Sequence, residues 1–197
     1  MSHHRSRCIA LSLAPLLLLG AGSALAHPGH IGPHAGFLQG FLHPLLGLDH
    51  LLAMLAVGVW GVMQGGYQRR FTPLMVLGGM WLGAGLAWAG MNLTGVETGI
   101  ALSVLLVGIL IATFTHLSRA LGTMLVVGFM LFHGAAHASE LPAGASVLMY
   151  LIGFSVATLG IAYGGKALGG FLKTRSSLWS RALGGAIAFI GGLFLLS

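Results

Sequence analysis

Past an apolar stretch near the start, the chain alternates long apolar runs with short breaks that are polar or rich in glycine and proline. Six runs follow one another, at about 36–62, 72–90, 98–115, 120–137, 144–165 and 178–196. Each approaches or exceeds the roughly 20 residues a helix needs to cross a hydrocarbon core about 30 Å thick. The pattern predicts an all-α fold: an integral membrane bundle of six transmembrane helices over residues 36–197, with short connections.

The beginning reads differently. Met1 to Arg7 carries Arg5 and Arg7, Cys8 to Leu19 is apolar, and Ser23-Ala24-Leu25-Ala26 ends in the small-residue spacing of a signal peptidase site. These are the three regions of a secretory signal, so residues 1–26 are expected to be cleaved after Ala26. The alternative, an uncleaved first transmembrane helix, is disfavoured by the short apolar run and the helix-breaking His27-Pro28-Gly29-His30 that follows it. Residues 27–35 then form a histidine-containing periplasmic segment. The only cysteine, Cys8, would leave with the signal, so the mature protein is expected to have neither a disulfide nor a thiolate ligand.

Composition removes whole classes of function. Hydrophobic residues make up 56% of the 197 and charged residues only 6%, against about 25% charged in soluble domains, which excludes a cytosolic enzyme. The formal charge of +6 is scattered and forms no basic stripe interleaved with aromatics, so no nucleic-acid partner is expected. The basic residues instead report topology. Arg69 and Arg70, then Arg119, then Lys166, Lys173, Arg175 and Arg181 all fall on one side of a six-span bundle. By the positive-inside rule that side is the cytoplasm, with both mature termini facing the exterior. The 33 glycines recur at small-xxx-small spacing, as in Gly36/Gly40, Gly79/Gly83 and Gly184/Ala188/Gly192, which lets helices approach closely in lipid.

Against this apolar background the acidic residues and histidines stand out. Of three carboxylates, Asp49, Glu97 and Glu140, two sit beside histidines inside apolar runs. In the first run, His43 and His50 are seven residues apart, which on a continuous helix puts them with Gly47 on one face, while Asp49 lies about 100° round. Pro44 and Gly47 loosen the backbone between them. In the fourth run, His133, His137 and Glu140 follow i, i+4, i+7 spacing on one face. An unpaired acid at a helix centre costs about 2.5–3.5 kcal/mol on insertion scales, so these groups need a partner, and a divalent cation suits four imidazoles with carboxylates and no thiolate. The topology puts them all in the outer half of the bundle. Glu97 opens the third run from outside and is expected to assist access electrostatically. His27, with its free α-amine after cleavage, and His30 are expected to form a capture arm, the alternative being a plain polar lead-in. His116 falls near the cytoplasmic interface, where it needs no further role.

At these positions the sequence resembles the HupE/UreJ family of bacterial membrane proteins. The signature H-P-x-x-G-x-D-H is met by His43, Pro44, Gly47, Asp49 and His50. A second pattern, F-H-G-x-A-H-G-x-E, is met by Phe132, His133, Gly134, Ala136, His137 and Glu140, with Ala138 where the pattern has Gly. The resemblance implies a secondary permease for nickel or cobalt, functionally linked to hydrogenase or urease maturation. The metal is then cargo, and no prosthetic group is implied. No Walker A loop is present, since Gly169-Gly170-Phe171-Leu172-Lys173-Thr174 lacks Gly directly before Lys. Facilitated diffusion or proton coupling remains. Imidazoles bind metal only when neutral, so affinity is expected to fall on acidification through the histidine range. Two rival readings use the same ligands: a membrane sensor or accessory protein, and a membrane metalloenzyme, against which the absence of H-E-x-x-H and G-x-S-x-G weighs.

Overall fold

The computed structural model describes residues 33–197. The signal sequence, its cleavage site, His27 and His30 lie outside the described residues. Among the described residues there are seven helices: α1 (Pro33–Leu46), α2 (Leu48–Gln64), α3 (Gly66–Trp88), α4 (Val96–Thr113), α5 (Arg119–Ser139), α6 (Val147–Leu172) and α7 (Ser177–Phe194).

The first predicted span is not one helix. It is broken at Gly47 into α1 and α2, whose axes bend by 73°. Pro44 lies inside the last turn of α1 and offers no amide to continue the ladder. Gly47 takes an extended conformation (φ −73°, ψ 106°) as the residue before α2. The break keeps its hydrogen bonds: Gly47 N donates to His43 O at 2.9 Å, and Leu51 N donates to Gly47 O at 2.9 Å. The other five helices are each long and apolar enough to cross a membrane, and the bent pair brings the number of candidate spans to six.

Two helices extend beyond their predicted apolar runs, each at a charged end. The helix of the second run begins at Gly66, not 72, and carries Arg69 and Arg70 in its first turns; that of the fifth continues past Lys166 to Leu172. Hydropathy marks the part of a helix that faces lipid, whereas long basic side chains can ride along a helix end with their heads in water.

α2 is the centre of the bundle, touching α1, α3, α4, α6 and α7. Its Met54, Val57 and Trp60 are fully buried. The long α6 runs parallel first to α1 and then to α2. Its Gly153 faces Phe37 and Phe41 of α1, and its Gly165 and Gly169 face Leu55 and Val59 of α2. A Cβ at Gly153 would run into the Phe37 carbonyl, so glycine there sets the separation of the two helices. α3 packs beside α5, and α4 lies antiparallel to α7.

The two ends of the bundle differ chemically. At one end Gln64 donates to Thr115 O at 2.9 Å, Gln68 donates to Arg119 O at 3.2 Å, and Arg181 donates to Ala112 O at 3.2 Å. The turns that carry Arg69, Arg70, Arg119, Lys173, Arg175 and Arg181 therefore gather there. The opposite end holds the carboxylates and four of the histidines.

Candidate metal site

Three backbone segments deliver the histidines. His43 comes from the end of α1, His50 from the first turn of α2, and His137 from the last turn of α5. One ligand nitrogen from each lies within 4.8 Å of the other two. Imidazole nitrogens on one first-row ion at about 2.0–2.1 Å stand roughly 3–3.5 Å apart, so small side-chain rotations close this set round an ion. The rings meet edge to face: His43 and His137 centroids are 4.8 Å apart, His50 and His137 4.9 Å, His43 and His50 5.4 Å. His43 and His50 thus meet across a bend rather than along one helical face.

The hydrogen bonds leave lone pairs free. Asp49 Oδ1 accepts from the His50 backbone amide at 2.7 Å and from His50 Nδ1 at 2.8 Å. A carboxylate can only accept, so the proton of His50 sits on Nδ1 and its Nε2 is bare. That Nε2 is buried with no partner. His137 is fully buried and neither of its nitrogens has a partner. Its ring is held by stacking on Phe154, centroids 5.0 Å apart and planes 9° from parallel. His43 Nε2 lies 2.6 Å from Glu140 Oε2 without the alignment of a hydrogen bond. Each buried polar atom left unpaired costs about 1–3 kcal/mol, and several such atoms converging on one point are what a cation would satisfy.

The remaining predicted residues take distinct places. Glu140 ends α5 and is 41% exposed at its side chain; besides approaching His43 it lines a cavity of about 330 Å³ with Trp88, Asn92, Glu97 and Ser139. Glu97 joins that cavity and not the triad. Asp49 acts on His50 as described. His133, one turn deeper on α5, is fully buried and stands ring to ring with His50 at 4.7 Å, outside the triad. His116 lines a separate cavity at the basic end with Lys173 and Arg175.

Residues 15–194 match the family described as HupE / UreJ protein. The chain belongs to the HupE/UreJ family. It is similar to Protein HupE of Rhizobium leguminosarum bv. viciae, with 36% identity over 190 residues that cover 95% of this chain and 97% of that one. No solved structure matches. This HupE/UreJ protein is a multi-pass membrane protein whose two signature segments meet in space: one spans the α1–α2 break, the other the end of α5.

Sequence reading missed the aromatic wall of the site. Tyr150 and Phe154 of α6 are both fully buried, and Tyr150 also stands edge on to His137 at 6.5 Å. Their i, i+4 spacing was visible, but aromatic pairs in apolar helices are common, and only the pairing of α6 with α1 and α2 aims this one at histidines.

Proposed function

We propose that the protein is a secondary permease that takes up a divalent transition metal, nickel or cobalt, across the bacterial inner membrane. The observation that carries this reading is the convergence of ligand nitrogens from His43, His50 and His137, with His50 Nε2 and both His137 nitrogens buried and without a partner. Nitrogen donors with nearby carboxylates, and no thiolate among the described residues, match the preferences of Ni²⁺ and Co²⁺. The basic end faces the cytoplasm by the positive-inside rule, so the histidine end and the C-terminus face the periplasm.

On this reading His27 and His30 capture the ion outside, and Glu97 and Glu140 raise the cation concentration in the cavity they line. The triad strips and selects it with Asp49 holding His50 in register, and His133 receives it next. The ion moves by facilitated diffusion or proton coupling, and supply to hydrogenase or urease maturation is the physiological role. No enzymatic step is assigned.

The test is metal flux into proteoliposomes containing the purified protein, with Ni²⁺, Co²⁺, Zn²⁺ and Cu²⁺ compared. Saturable uptake that disappears in the His50→Ala/His137→Ala variant is expected. Tight binding without flux would make the protein a sensor or accessory subunit, and neither binding nor flux would overturn the metal reading.

A further inference from the structure

Ser103, a fully buried residue in the middle of α4, belongs to neither signature segment and carries no charge. Its hydroxyl oxygen is 2.6 Å from the carbonyl oxygen of Ile100 and 2.9 Å from His133 Nε2. A carbonyl oxygen can only accept, and two oxygens at 2.6 Å require a proton between them, so the single hydroxyl proton of Ser103 is committed to Ile100. The Ser103 oxygen can then engage His133 only as an acceptor. The proton of His133 therefore sits on Nε2, and its Nδ1 is a bare lone pair, buried and without a partner.

We infer that Ser103 is a positioning residue that locks His133 in the Nε2–H form, so that its free Nδ1 receives the ion leaving the His43/His50/His137 triad. This inference rests on the metal reading above. The geometry parallels the way Asp49 treats His50, with two differences. The locked nitrogen is Nε2 instead of Nδ1, and the acceptor is a neutral hydroxyl instead of a carboxylate. A neutral acceptor fixes the ring and the tautomer without the added basicity a carboxylate lends to its histidine. His133 is thereby a weaker donor than His50, which suits a ligand that must pass the ion on. His133 sits four residues before His137 on α5 and makes edge-to-face contact with His50 at 4.7 Å, planes 88° apart, so it adjoins the triad on the side facing the membrane interior.

The experiment uses the full chain in detergent and in nanodiscs, with imidazole nitrogens labelled by ¹⁵N. His133 is assigned by loss of its signals in His133→Gln. The wild-type protein is expected to show a protonated Nε2 and a bare Nδ1 on His133; the opposite tautomer overturns the inference without any Ser103 variant. Ser103→Ala is expected to mix the two tautomers and to weaken Co²⁺ binding or slow its flux by about tenfold or more, the usual effect of losing such an outer partner. Ser103→Thr, which keeps the hydroxyl, is expected to restore both the nitrogen signature and the flux. Unchanged tautomer and flux in Ser103→Ala, with wild-type binding intact, would overturn the role of Ser103 alone. Failure of the wild-type protein to bind Co²⁺ at all would overturn the metal reading and this inference with it.

Discussion

At the residue scale, the two carboxylates of the outer cavity are not equivalent. Glu140 reaches a triad histidine, while Glu97 only shares the cavity wall. Glu140→Gln keeps size and cavity shape but removes a charge in contact with His43, and is expected to raise the half-saturation concentration for Ni²⁺ uptake by about 10–100-fold. Glu97→Gln removes only a screened, longer-range attraction worth ~1 kcal/mol or less, about fivefold at most, and its effect should vanish at high salt. Initial-rate uptake by both variants at low and high ionic strength checks the distinction; equal losses would mean that both acids ligate. The residue types of the site were legible in the sequence, because histidine and carboxylate are conspicuous in an apolar chain. Their partners were less so. Ser103 was one of several scattered hydroxyls, and nothing in α4 alone pairs it with His133. The glycine pattern shows the same limit: Gly184 and Ala188 meet Ala112 and Gly108 of α4 as the spacing predicts, but the third close contact is made by Gly191 against Leu105, while a Cβ at Gly192 would meet open space. A strict four-residue step drifts off a face that repeats every 3.6 residues.

At the element scale, five of the six apolar runs correspond to single helices, because long hydrophobic stretches are a strong signal. The first run hides a bend, because hydropathy is indifferent to direction and Pro44 and Gly47 are both tolerated in membrane helices. The interface between α1 and α6 then decides where His43 stands. Gly153→Leu is expected to force α1 off α6 and to cost ~1–3 kcal/mol by overpacking, together with most of the uptake. Gly160→Leu, on an open face of the same helix, is expected to change neither. Thermal unfolding in detergent and flux measured side by side check the pair, and a tolerated Gly153→Leu would show that this contact does not position the site.

At the scale of the whole molecule, basic side chains collect at one end and histidines with carboxylates at the other, around a central α2 whose first turn belongs to the site. The chain delivers its three triad histidines from α1, α2 and α5, and α1 and α2 are connected through a single extended residue, Gly47. An ion held by all three is therefore a rivet: it fastens a short helix to two others across a joint that one residue bridges. Stability should follow occupancy, rising by about 2.7 kcal/mol when free Ni²⁺ exceeds its dissociation constant a hundredfold, measured as an upward shift of the melting transition that is absent in His43→Ala. Loss of the ion would unfasten that one link while the close contact of Gly153 with Phe37 still ties α1 to α6.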